Sequence, residues 1–369
     1  MVKAIGFLSL MSPIIALDLG VNLKLWMILG CVFILLNIKN FKIYTSEVTV
    51  ISILFVASLL SLAPNIADIT NNQAIYLLFG PMQMALALWL SRFFDEQLFV
   101  KIIWVYLAAN VIYGLYGLSI IPDIPINNET YGGIFIQYGL PRLSGLAGDP
   151  NMLAFYLCLI IFLVNYFDIR NVFWPLVICV LLTQSRTGFA IILVLGLVLG
   201  LIRFKDSIRG FPIILFVLAM FLIFLGDDLA GLYEYYQLKM VTVASIGGRR
   251  ELWEAALEYI QLHPFQGIGL GGSRAFIEHA FGTYTYIHNT YIELFLELGL
   301  VFGFVIVGLI FLPILVATRK WSSIVCYVII VGGFMATLSL AVNEVLWFTI
   351  GILLNSRRTN HDFYRKHDE

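Results

Sequence analysis

The sequence predicts an all-α polytopic membrane protein, and three observations carry that prediction. Of its 369 residues 60% are hydrophobic, only 12% are charged, and the mean hydropathy is +0.92. A soluble domain holds about 45–50% apolar and about 25% charged residues, so this chain has too few ions to clothe a water-facing surface of its size. Apolar stretches of bilayer-spanning length recur along the chain between short polar clusters. The 22 Lys and Arg fall mostly in alternate connections, as the positive-inside rule requires. Against 23 Asp and Glu they leave a net charge of −1, so no cationic field is present and nucleic acid is not expected as a partner.

Taken in order, the chain reads as about 12 transmembrane helices. They lie near 4–21, 23–38, 48–64, 74–91, 98–121, 151–167, 171–184, 187–202, 210–226, 291–317, 321–340 and 341–355. This divides the chain into helices one to five (1–121), a first outer loop (122–150), helices six to nine (151–226), a large outer loop (227–290), helices ten to twelve (291–355) and an inner polar tail (356–369). Met1-Val-Lys3 and the apolar run after it resemble a signal sequence, but no small-x-small cleavage site follows, so the run is read as an uncleaved first helix. With both termini inside, Lys39, Lys42, Arg92, Arg203, Lys205, Arg209, Arg319, Lys320, Arg357 and Arg358 all fall on the inner side. Lys24, Arg142, Arg186, Lys239, Arg249, Arg250 and Arg274 fall outside. Cys31, Cys158, Cys179 and Cys326 sit in apolar runs without CxxC spacing and read as small buried hydrophobes.

Loops as long as the two outer ones are uncommon unless functional or disordered, and the second is too apolar and aromatic for a disordered linker. Within it, Arg250 to Leu262 places Leu252, Trp253, Ala256, Leu257 and Ile260 on one helical face and Glu251, Glu254 and Glu258 on another. His263-Pro264 ends that helix. The pattern predicts an amphipathic helix lying along the outer membrane boundary.

Topology disfavours Arg outside, so each outward Arg needs a reason. Arg142 stands in Pro141-Arg-Leu-Ser-Gly-Leu-Ala-Gly-Asp-Pro-Asn151, Arg186 in Thr183-Gln-Ser-Arg-Thr-Gly188, and Arg249 and Arg250 begin the amphipathic helix. Singly, each is equally served by snorkelling to membrane lipids or capping a helix carbonyl. As a set at one membrane level they suit a phosphate or pyrophosphate, whose oxygens the guanidinium fork grips in pairs. His288 precedes Asn289 and Thr290, either of which could cap the next helix, and it is placed to serve as a general base. His263 reads as a turn residue, and His279 has no supporting pattern. Glu293 and Glu297 lie one helical turn apart, and carboxylates at that depth are costly without a function or an Arg partner. The Gly267-Ile-Gly-Leu-Gly-Gly272 run follows a helix break, not a strand, and reads as a flexible turn that brings Arg274 toward a ligand. Tyr233, Tyr235, Tyr236, Tyr284 and Tyr286 serve equally as sugar-stacking rings or an interfacial belt. No metal-ligand spacing occurs.

Four stretches now form a pattern: Gly248-Arg-Arg-Glu-Leu-Trp-Glu-Ala-Ala-Leu, His263-Pro-Phe-Gln-Gly-Ile-Gly-Leu-Gly, His288-Asn-Thr-Tyr-Ile-Glu, and Glu297-Leu-Gly-Leu-Val-Phe-Gly303. With Arg142-Leu-Ser-Gly, Asp149-Pro-Asn151 and Ser185-Arg-Thr-Gly188 before them, they resemble the O-antigen polymerase and ligase superfamily over about residues 140–303. The resemblance implies a glycosyltransferase-C-like fold and an inner-membrane enzyme that uses a glycan on undecaprenyl pyrophosphate at the periplasmic face, with no cofactor and no metal. It implies that Arg142, Arg186, Arg249 and Arg274 bind the pyrophosphate and that His288, Arg250 and Glu293 are catalytic. Donor and acceptor would be lipid-linked oligosaccharides, with a chain-length regulator protein as a candidate partner. The expected activity is O-antigen polymerisation. The alternatives are ligation of the glycan to lipid A-core and, in a different class, a flippase or transporter for the same lipid, for which Glu344 is the main intramembrane charge.

Overall fold

The computed structural model describes residues 15–18, 22–36, 45–62, 71–93, 96–121, 129–137, 140–169, 171–203, 249–282 and 285–367. Most of the first span, the ninth span with the connection before it, and residues 227–248 of the large loop, with Tyr233, Tyr235, Tyr236 and Lys239, lie outside these, as does Tyr284.

Helices dominate. They are α1 (Leu25–Leu36), α2 (Thr45–Leu62), α3 (Asn71–Leu90), α4 (Glu96–Ser119), α5 (Pro150–Tyr166), α6 (Phe173–Leu182), α7 (Arg186–Arg203), α8 (Arg249–Leu262), α9 (Ser273–Phe281), α10 (Thr290–Ala317), α11 (Trp321–Met335) and α12 (Glu344–His367). α4 and α10 are each long and apolar enough to cross a membrane; α5, α6, α7, α11 and the start of α12 are shorter apolar helices. Trp104, Val105, Ile112 and Leu115 of α4 and Val301, Phe304, Leu312 and Leu315 of α10 are exposed. Apolar stripes of that extent suit lipid, and the chain is a helical membrane protein. α12 continues as a helix through the residues expected to form a polar tail. No Gly or Pro occurs between Ile352 and His367 to end it.

α5 is the centre of the bundle. Nearly every residue from Leu153 to Val164 is buried, as a helix that is apolar all round must be, and it packs on α6, α7 and α11. Its start is fixed by Asp149, whose carboxylate accepts from the main-chain N–H of Asn151 (2.8 Å) and Met152 (2.9 Å), with Pro150 in the first turn. The amphipathic pattern of α8 is answered by protein. Its apolar face, Leu252, Ala256 and Ile260, is buried against Ile268, Ile277, Ile287 and Leu296 in a second small core shared with α9 and α10. The same pattern serves any apolar surface, and here the surface is protein.

Among the described residues two departures from an all-helical chain occur. Residues 15–18 and 22–24 form a hairpin, β1 (Ile15–Asp18) with β2 (Asn22–Lys24), where a first helix to residue 21 is predicted; Asp18, Gly20 and Asn22 supply turn chemistry that ends a helix. In the first outer loop β3 (Glu129–Tyr131), β4 (Ile134–Gln137) and β5 (Leu140–Leu143) form an antiparallel meander. Gly132-Gly133 makes its two-residue hairpin, flanked by aromatic and β-branched residues. The sheet sits flush on α4. A Cβ on Gly117 would lie 2.2 Å from the Tyr131 carbonyl oxygen and one on Gly133 would lie 2.8 Å from the Gly114 nitrogen, while Gly133 N–H donates to the Tyr113 carbonyl at 3.2 Å.

Candidate functional site

The sheet, the start of α5 and the α6–α7 turn converge on Arg142. From β5 its Nε donates to the Thr183 carbonyl (3.1 Å) and Nη2 to Asn151 Oδ1 (3.3 Å), and Nη1 donates to Gln137 Oε1. The same Asn151 oxygen accepts from Ser185 Oγ at 2.9 Å. Gln184, at φ 48°, donates its Nε2 to the Pro141 carbonyl at 3.0 Å. This turn delivers Arg186 as the first residue of α7. The segment between β5 and α5 is folded back by Gly145, whose φ of +51° and missing Cβ let Asn110 Oδ1 approach and accept from Leu146 N–H at 2.8 Å. Burial depresses the Arg142 pKa, Asp149 opposes this and Arg186 adds to it; an Arg remains charged throughout.

The second wall comes from the start of α10. Asn289 caps it, its Oδ1 accepting from Tyr291 N–H (3.1 Å) and Ile292 N–H (3.2 Å). Thr290 donates to the Leu338 carbonyl (2.6 Å) and accepts from Leu340 N–H (2.9 Å), pinning the α11–α12 connection to this end. Just before the cap His288 takes φ 54°, a left-handed conformation that a non-glycine residue holds only where its neighbours enforce it. Trp253 Nε1 of α8 enforces it from one side by donating to the Ile287 carbonyl at 2.9 Å. Burial lowers the His288 pKa, Arg249 lowers it further, and Asp149 raises it. Asp149 is thus within electrostatic range of both Arg142 and His288, and it joins the two walls.

The candidate residues therefore separate. Arg142 is influenced by Asp149 and Arg186, and His288 by Arg249 and Asp149, so these five charged groups are linked pair by pair. Arg250 does not face the cluster: its side chain is 89% exposed and pairs with Glu254 one turn along α8 at 2.7 Å, so of the adjacent pair Arg249 is the one whose charge His288 feels. Glu293 and Glu297 do not orient His288. Ser273 Oγ donates to Glu293 Oε1 at 3.3 Å and Ser273 N–H to Glu297 Oε1 at 3.2 Å, so both carboxylates hold the start of α9. The glycine run is not a flexible turn. α10 breaks at Gly299 (φ 74°), and Ile268 N–H and Gly269 N–H donate to the Leu296 and Glu297 carbonyls, each at 3.0 Å, so the run is docked on that break. His263 is a turn residue stacked on Tyr259, and His279 is exposed in the last turn of α9. Glu344 is buried and paired with Lys24 (2.5 Å) and Gln83 (2.8 Å). The four cysteines are unpaired. Among the described residues no cluster of His, Cys, Asp or Glu converges as a metal-binding set.

Sequence reasoning assigns no site role to Asn151, Ser185, Thr183 or Gln137, and gives Trp253 only a place on an apolar face. For Asn151 a signal was present: Asp149 before Pro150 marks a helix cap, and Asn151 directly follows it. Arg142's contacts with Thr183 and Gln137 depend on a sheet and a turn whose tertiary apposition leaves no local pattern.

Residues 171–307, which include α6, α7, α8, α9 and most of α10, match the family model described as O-Antigen ligase. No curated protein matches the chain. The match over residues 171–307 supports the resemblance to the O-antigen polymerase and ligase superfamily.

Proposed function

We propose that the protein is an inner-membrane glycosyltransferase that polymerises undecaprenyl-pyrophosphate-linked glycan repeat units at the periplasmic face. The observation that carries this reading is that segments far apart in sequence bring charges within reach of one another: Arg142, bound to Asn151, feels Asp149 and Arg186, and His288 feels Arg249 and Asp149. An acceptor hydroxyl attacks the anomeric carbon of the donor as the bond from that carbon to the pyrophosphate oxygen breaks. His288 takes the hydroxyl proton, and the arginines stabilise the charge that builds on the departing undecaprenyl pyrophosphate. Burial and Arg249 favour neutral His288, the form a base requires. The cations stand on two walls, which suits a donor and an acceptor that both carry pyrophosphate.

Ligation to lipid A-core is the second reading, and the description of the matching family model favours it. The two part in one incubation. Purified protein given only lipid-linked repeat units builds longer lipid-linked glycans if it is a polymerase; a ligase is inert until lipid A-core is added. No product under either condition would sink the glycosyltransferase reading altogether.

A further inference from the structure

Arg274 is the second residue of α9. Its guanidinium carbon lies 3.5 Å from the centroid of the Tyr286 ring, a cation–π contact in its close range. Tyr286 in turn lies against His288, ring centroids 5.8 Å apart and tilted by 52°. Behind Arg274 stand Glu293 and Glu297, both buried and both acting on its charge. Through Ser273 the same two carboxylates hold the helix start from which Arg274 projects. The His288 bend is thus gripped at three points: Trp253 on the Ile287 carbonyl, the Asn289 cap, and Arg274 on Tyr286. A residue at φ 54° needs such restraint, because an L side chain relaxes out of the left-handed region when released.

Resting on the glycosyltransferase reading above, we propose that Arg274 is a positioning residue, which fixes the His288 bend by clamping the Tyr286 ring, and not a ligand of the substrate pyrophosphate. Glu293 and Glu297 serve the same end by bonding Ser273, the residue before Arg274. A positioning residue and a phosphate ligand differ in what their loss changes. Removing a phosphate ligand weakens substrate binding and raises KM; removing a clamp leaves binding and lowers kcat.

The test uses the full-length protein in detergent with lipid-linked repeat units. R274A is expected to lower kcat roughly ten- to hundredfold with KM within about twofold of wild type. R274K, which keeps the cation over the ring without the guanidinium plane, is expected to recover part of that loss. Y286A is expected to match R274A, Y286F to keep most of the rate, and the R274A/Y286A double variant to be no worse than either single one. A raised KM with unchanged kcat in R274A, or a double variant whose losses multiply, overturns the proposal. A second measurement needs no activity: the rate at which diethyl pyrocarbonate modifies His288, resolved from His263 and His279 by peptide mass spectrometry. It should rise severalfold in R274A and Y286A but not in Y286F, with His263 and His279 unchanged. An unchanged His288 rate in folded R274A and Y286A overturns the clamp. If the wild type transfers no glycan, the glycosyltransferase reading fails, and the modification rates still decide the clamp.

Discussion

Gly267 faces the main-chain carbonyl of Glu297 so closely that a Cβ there would lie 2.0 Å from the oxygen. The contact exists because α10 breaks two residues later at Gly299, and a break frees carbonyls that need donors. The strand-like passage of Gly267 to Gly269 supplies them. Gly267→Ala therefore cannot be absorbed by a side-chain shift and is expected to cost about 2 kcal/mol or more. Gly282→Ala, where a Cβ would meet nothing within 4 Å although φ is +68°, is expected to cost only about 1 kcal/mol. Thermal midpoints of the two variants in detergent check the order, and equal midpoints would contradict it.

Asn151 is the shared acceptor of Arg142 and Ser185. Asn151→Ala is expected to lower transfer about tenfold or more, because the guanidinium loses its orientation while keeping its charge. Arg142→Lys is expected to be nearly as harmful, since an ammonium cannot reach Thr183, Gln137 and Asn151 together. Initial rates on lipid-linked repeat units measure both, and full activity in either would show that guanidinium geometry is unimportant.

The pH profile follows from His288. Its folded-state pKa is lowered first by burial and then by Arg249, with Asp149 opposing. A base must be neutral, so the rate should hold below the ordinary histidine value of about 6.5 and fall only as pH drops through the depressed value. Stability has the same sign: the folded state resists protonating His288, so stability falls as pH drops below the unfolded-state value. Removing the Arg249 charge with R249Q should move the acid limb of the rate profile to higher pH, and D149N should move it lower. An acid limb that ignores both substitutions would detach His288 from the reaction.

Lys24 and Glu344 join the β1–β2 hairpin to the start of α12, and Glu344 is the more buried partner. Lys24→Ala strands a buried carboxylate with only Gln83 to answer it, at an expected cost of about 3 kcal/mol. Glu344→Ala should cost less, because Lys24 can reach water. The K24M/E344L double variant should recover most of the loss, as apolar replacements of buried pairs do. Thermal midpoints of the four proteins give the coupling. An intact midpoint in K24A would show that the pair contributes nothing.

Much of this was legible in the sequence because it is local. The starts and ends of α5, α8 and α10 follow from Asp149-Pro150, His263-Pro264 and His288-Asn289, where capping and proline chemistry act over a few residues. Periodicity also found the apolar face of α8, but not what covers it, since lipid and a protein core select the same side chains. Arg249 and Arg250 could not be separated either. Adjacent helical residues point about 100° apart, and which of them meets His288 depends on how α8 docks, not on its sequence. The partners of Glu293 and Glu297 were hidden for a related reason: their spacing puts them on one face, and only the tertiary fold turns that face toward Ser273.

The glycine-to-glycine seat of the sheet on α4 makes that helix a gauge. Arg142 reaches the site from a sheet whose backbone rests on the α4 backbone at Gly114 and Gly117, with Leu143 and Ile134 of the sheet packed on the same glycines. The height at which the guanidinium stands is therefore ruled by a helix that lends it no hydrogen bond. One residue inserted into α4 between its membrane-facing stretch and Gly114 would raise the seat by about 1.5 Å and swing it by about 100°. That would carry Arg142 away from Asn151 without changing any residue of the site. The length of α4 is as much a part of the chemistry as the arginine itself.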